Sequence, residues 1–155
     1  MNNYLKFAIC ILLPFAVGGI SATYTIEAIP NWYTTIQKPS FNPPNWVFGP
    51  VWTTLYVLMG VSFYLVLQKC TKEQVKSVVA IFGIQLTFNF FWSIIFFHWH
   101  AIGLAFADIL LMWVSILLMI RWFYKISPLA AYMNIPYILW VSFASLLNGS
   151  IYLLN

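Results

Sequence analysis

Charge is almost missing from this chain. Seven Lys and Arg and three acidic residues make up 6% of 155 positions, where an ordinary soluble domain carries about a quarter. With 63% hydrophobic residues and a mean hydropathy of +0.87, that scarcity excludes a soluble globular domain and leaves an integral membrane protein. Cysteine is as scarce. Cys10 lies in an apolar run and Cys70 in a polar break, which gives neither a disulfide framework nor a metal-binding spacing. No Ser-His-Asp or Cys-His constellation points to hydrolytic or redox catalysis. The basic residues stand apart at the ends of apolar runs, so the basic patch that nucleic acid requires is missing too. Internal repeats, low-complexity tracts and alternating ten-residue segments are lacking, and with the last of these goes a membrane barrel.

What the chain does have is long apolar runs. Five are separated by charged or proline-rich breaks, each near the roughly 20 residues that a bilayer core demands. Only helices satisfy their own backbone in lipid, so the expected fold is all-α: one domain over 1–155, a five-transmembrane-helix bundle with helices at about 5–26, 44–67, 77–97, 101–123 and 129–154. Lys6 before the first run could imitate a signal peptide, but no small-x-small cleavage site closes it, and it is read as the first helix. Pro14 and Pro50 are expected to bend their helices. His98-Trp99-His100 reads as a solvated turn, because the H-x-H spacing has no third ligand.

Lys6, Lys69, Lys72, Lys76, Arg121 and Lys125 fall on one side of this topology and only Lys38 on the other. The positive-inside tendency then sets a cytoplasmic N-terminus and an external C-terminus.

The stretch from Asn31 to Gly60 organises the rest. It carries three of the eight Trp, and Pro30 to Pro50 carry five of the eight Pro. Rings and fixed φ angles remove conformations from the unfolded chain, so the loop over 27–43 is expected to hold a lid-like shape, with Pro43 and Pro44 leading into the second helix.

Polar groups inside the spans are costly unless they meet a partner or a cavity. Gln85, Asn89 and Trp92 share one face of the third helix, Trp140, Ala144 and Asn148 one ridge of the fifth, and Phe48, Trp52 and Tyr56 one ridge of the second. Such ridges suit a pocket for a flat, mostly apolar ligand held by one or two hydrogen bonds. They suit plain interhelical packing as well. Gly18, Ala22, Gly103 and Ala107 read as close-packing positions, and Trp99, Trp122 and Tyr124 as interfacial anchors. Asp108, the one acid well inside a span, costs roughly 2.5–3.5 kcal/mol if ionised at the bilayer centre. It is expected to be protonated or bonded across the bundle.

These stretches carry a family resemblance. WYTTIQKPSFNPPNWVFGPVWTTLYVLMG resembles the W-x-P-P region of the TspO/MBR family, also known as the tryptophan-rich sensory protein, translocator protein or peripheral benzodiazepine receptor family. QLTFNFFWSIIFF resembles its third helix and PYILWVSFASLLNGSIYLLN its fifth, so the likeness covers nearly the whole chain. It implies a five-helix bundle whose pocket, capped by the first loop, binds tetrapyrroles such as protoporphyrin IX. Benzodiazepine and isoquinoline carboxamide ligands, a homodimer in a bacterial membrane and no required cofactor are implied as well. By motif the ligand-facing positions are Tyr33, Trp52, Asn89, Trp140, Ala144 and Asn148, with Pro43 and Pro44 shaping the loop. Trp52 and Trp140 match the tryptophans implicated in light- and oxygen-dependent porphyrin degradation. The sterol motif of animal members is incomplete, since Leu147 and Tyr152 are followed by no basic residue. Specific cholesterol binding there is not expected. Val61, Tyr64 and Lys69 fit the same permissive pattern by chance. Three functions stay open on the sequence: a porphyrin sensor or carrier, a light-dependent porphyrin-degrading enzyme, and a membrane scaffold.

Overall fold

Asn2 accepts a hydrogen bond from the Tyr4 backbone N–H at 3.2 Å and so caps α1 (Asn3–Ala28). In the computed structural model, which describes residues 2–155, four further crossings follow. A 3-10 turn (Asn45–Val47) leads into α2 (Phe48–Lys69), and α3 (Lys72–Ser93) runs on through a π turn (Ile94–His98). Then come α4 (Ile102–Ile126) and a last crossing made of a short α5 (Pro128–Tyr132) and α6 (Ile135–Leu154). No strand occurs among the described residues. All five crossings are long and apolar enough to span a bilayer, and the protein is a multi-pass integral membrane protein of all-helical fold.

Local chemistry explains where the boundaries differ from the expected ones. The third crossing begins at Lys72, five residues before Ser77, because Thr71 and Gln74 form a reciprocal capping box, with the Thr71 N–H donating to Gln74 Oε1 at 2.9 Å. Most of the polar break is therefore helix. Pro50 falls in the first turn of α2, where its missing N–H leaves no intrahelical bond unmade. The last crossing is interrupted at Met133 and Asn134, since Pro136 in the first turn of α6 cannot continue the backbone ladder. Asn134 repairs the break by donating from Nδ2 to the Ala130 carbonyl at 2.9 Å and to Ser62 Oγ at 2.6 Å.

Helix backbones approach closely between α1 and α2, α3 and α4, and α4 and α6. Gly60 permits the first approach, since a Cβ there would lie 2.8 Å from the Cys10 carbonyl oxygen and the Ile11 Cα. Phe63 of α2 and Phe82 of α3 stack at 4.0 Å, and Met59, Met112, Ile116 and Met119 complete the tightly filled part of the core. Leu12, Leu104 and Leu146 point outward, the arrangement that a hydrocarbon solvent favours. Of the positions read as close-packing sites, Gly18 and Gly103 face rings, Ala22 lines a cavity, and Ala107 is exposed.

Two clasps mark the ends of the bundle. At one, Gln68 Nε2 donates to Asn3 Oδ1 at 3.4 Å. At the other, the Asn155 side chain meets the Gln37 backbone twice, accepting from its N–H and donating to its carbonyl, both at 3.0 Å. The loop after α1 and the end of α6 therefore lie together.

Candidate functional site

A chamber of about 440 Å³ opens where α1, α2 and α3 part near the first loop. It exists because small residues face large ones. Gly18 brings no side chain, so the Tyr56 ring lies against the α1 backbone, where a Cβ would be 2.1 Å from it. Ser21, Ala22 and Thr25 keep the rest of that α1 face low, and Phe15, Phe48, Trp52, Trp92 and Phe97 supply flat walls. Trp52 stacks on Tyr56 with ring centroids 5.5 Å apart. Gly19, Gly49, Thr53 and Trp46 are exposed at the rim, so the mouth lies between α1 and α2.

Tyr56 and Asn89 form the floor, and a chain of neutral hydrogen bonds runs from them into the core. The Tyr56 hydroxyl donates to Asn89 Oδ1 at 3.2 Å, Asn89 Nδ2 donates to the Tyr137 hydroxyl at 3.2 Å, and that hydroxyl donates to Gln85 Oε1 at 2.8 Å. Tyr56, Asn89, Tyr137 and Gln85 are all buried. Asn89 still keeps one N–H and one lone pair uncommitted by these bonds, so it can offer a polar contact to a guest. No charged side chain lines the chamber among the described residues.

The first loop closes one end of the chamber through Tyr33. This ring is buried against Phe96 and Phe97, and its hydroxyl donates to Asn42 Oδ1 at 2.7 Å. Burial pushes the hydroxyl up to about 12, with the Asn42 bond pulling it back in part. Lys38 does not reach inward. Its ammonium donates to the carbonyls of Tyr33 and Ile36 and sits 4.7 Å over the Tyr33 ring. Pro43 and Pro44 stand outside the lining, and the Pro44 carbonyl accepts from the Val47 N–H at 3.0 Å to start the turn that carries Asn45 and Trp46 to the rim.

Of the site residues expected from the sequence, Tyr33, Phe48, Trp52, Asn89 and Trp92 come together on the chamber wall. Trp140, Ala144 and Asn148 do not. Trp140 lies beyond Phe48, with centroids 6.0 Å apart, and lines a separate outward groove with Pro50, Val51 and Leu139. Ala144 is buried in the core. Asn148 is occupied in packing, accepting from the Trp92 indole N–H at 3.0 Å and donating to the Ile102 carbonyl at 3.0 Å. Spacing put these three on one ridge of α6 but could not say how that ridge is turned against its neighbours. The α1 wall was missed, although Gly18, Ser21, Ala22 and Thr25 form a visible stripe of small and polar residues.

Asp108 is buried, and its Oδ2 has no hydrogen-bond partner among the described residues, so the expected bond across the bundle is not made at that oxygen. His98 and His100 serve as rings. His100 stacks on Trp32 at 4.2 Å and His98 tilts against Tyr24 at 5.0 Å.

Comparison with known proteins agrees with this architecture. The description "TspO/MBR family" matches residues 10–154. The tryptophan-rich protein TspO of Chlorobaculum tepidum is 42% identical over 99% of this chain and 98% of its own length. Its namesake from Archaeoglobus fulgidus is 39% identical over 99% of both chains. The human translocator protein is 42% identical over 76% of this chain and 70% of its own.

Proposed function

The chain belongs to the TspO/MBR family, and we propose that its chamber binds a flat tetrapyrrole such as protoporphyrin IX, so that the protein senses, carries or regulates porphyrins in the membrane. One observation carries the reading: a cavity of about 440 Å³ walled by Trp52, Trp92 and Phe48, with the Asn89 amide at its floor. Volumes of about 300–1,000 Å³ with apolar walls and few polar groups are those of small-molecule sites. Indole faces hold a macrocycle by stacking, and an amide fixes its rotation. Because no charge lines the wall, carboxylate substituents of such a ligand stay at the rim, near the exposed Asn45 and Trp46. Benzodiazepine- and isoquinoline-type ligands, also flat and largely apolar, fit the same description.

Titrating protoporphyrin IX into the purified protein and following tryptophan quenching tests the proposal. Trp52→Leu weakens binding at least tenfold. Affinity unchanged by both Trp52→Leu and Asn89→Leu refutes the chamber.

A second reading, light- and oxygen-dependent porphyrin degradation, is favoured by the stacked Trp52 and Tyr56 rings and the hydrogen bonds that lead from Tyr56 to Tyr137. An indole and phenols in series beside a photosensitiser are oxidisable neighbours. Illumination with a dark control decides it. Protein-dependent loss of the porphyrin spectrum, slowed or redirected in Trp52→Phe, supports the enzyme. Bleaching at the rate of free porphyrin leaves the sensor or carrier.

A further inference from the structure

Arg121 and Lys125 stand one turn apart near the end of α4, both exposed, with the Lys125 ammonium 5.8 Å from the Trp122 ring. Taken alone, this is common helix-end chemistry, since cations complement the macrodipole and Trp anchors at the interface. What distinguishes the place is a groove of about 530 Å³ that runs from these cations down between α3 and α4. Ser77 and Ala80 of α3 are too small to fill the space opposite Trp122, while Ile84 and Leu118 continue it as an apolar trough.

We propose that this groove is a specific site for an anionic phospholipid, with its phosphate between Arg121 and Lys125, the Ser77 hydroxyl beside it, and one acyl chain along Ala80, Ile84 and Leu118. Charge complementarity selects this occupant, because basic pockets between helices at a membrane surface recognise anionic headgroups. The acids do not cancel it. Glu73 in the first turn of α3 is the one acid at this end, against six of the seven basic residues. A second copy of the chain is a poorer occupant, since a two-fold contact on this patch sets its cations against themselves. Free phosphate leaves the apolar length empty. The site is separate from the chamber, and its failure leaves the porphyrin proposal standing.

Native mass spectrometry of the protein from mixed vesicles of phosphatidylglycerol and phosphatidylcholine with matched acyl chains tests it. The expected result is retained phosphatidylglycerol in preference to phosphatidylcholine, a preference that falls about fivefold for each of Arg121→Gln and Lys125→Gln. Lys6→Gln and Lys69→Gln, at the same end but off the groove, keep the preference. Ala80→Trp, which fills the trough without touching a charge, lowers retention of both lipids, and it carries the test if the Arg121→Gln and Lys125→Gln variants do not fold. Equal retention of both lipids in the native protein overturns the proposal. So does equal loss in the Lys6 and Lys69 variants, which means a diffuse field. Displacement of the lipid by glycerol phosphate, or a dimer that retains no lipid, overturns it too.

Discussion

At the scale of single residues, the floor of the chamber depends on Asn89, which ties Tyr56 to Tyr137. Asn89→Ala leaves two buried hydroxyls short of a partner and is expected to cost about 1–3 kcal/mol, read as a lower melting temperature in detergent. Tyr56→Phe removes one end only and costs about 1 kcal/mol. The two tryptophans singled out by motif separate in the same way. If the chamber is the porphyrin site proposed above, Trp52→Phe is expected to change affinity or photochemistry, and Trp140→Phe, outside the chamber, is expected to leave both as they were. Ala144→Leu reads as a steric block to ligand only if α6 faces the pocket. With Ala144 in the core, the change overpacks it by about 1–3 kcal/mol, and a melting-temperature loss precedes any loss of binding. Tyr33 gives a pH dependence. Its hydroxyl sits higher in the folded loop than in the unfolded chain, so its contribution is complete below the ordinary tyrosine value near 10 and is lost as pH rises toward about 12. Protease sensitivity of the loop, flat to about pH 10 and rising above it in wild type but not in Tyr33→Phe, checks the sign.

At the scale of elements, α1 and α2 are held by a glycine contact that nothing else can replace. A methyl at Gly60 meets the α1 backbone, which cannot rotate away as a side chain can. Gly60→Ala therefore forces the helices apart and is expected to cost about 1–3 kcal/mol. Gly18→Ala meets the Tyr56 ring instead, which can swing. Its expected effect is lost ligand affinity with a smaller fall in melting temperature, and the two variants measured side by side test whether the upper contact serves the chamber. The loop is ordered from both ends, by its prolines and by the Asn155 clasp on Gln37. Replacing Pro43 and Pro44 by Ala widens the ensemble of the loop and should weaken ligand binding by about 1 kcal/mol with little change in helix content. Asn155→Ala should speed ligand release, seen in stopped-flow fluorescence, and equal off-rates would count against the loop as a lid.

At the scale of the whole molecule, five crossings place the two ends of the chain on opposite faces, and six of seven basic residues share the face of the N-terminus. We propose that this face is cytoplasmic. Reporter fusions at each end check it, with an active external reporter expected at the C-terminus and an inactive one at the N-terminus. Reversed activity with an intact bundle rejects the orientation.

Composition and period alone determined that this is a membrane bundle of five helices, because the hydrocarbon core demands apolar runs of fixed length and a self-satisfied backbone. The faces carrying Trp52 and Asn89 were legible for the same reason, since helical spacing decides which residues share a side. The capping box at Thr71 and Gln74 is equally present in the sequence, though the lysines around it make the same stretch look like a break between helices. Tertiary packing decided the rest. Which way α6 turns its ridge depends on Phe48 standing between Trp140 and the chamber, and on Asn148 meeting Trp92. Whether a small-residue stripe packs or leaves a hollow depends on what lies opposite: at Gly60 a backbone fills the space, and beside Gly18 the Tyr56 ring holds the wall of a chamber. Spacing along one helix carries no information about its neighbour, and a cavity is a property of both.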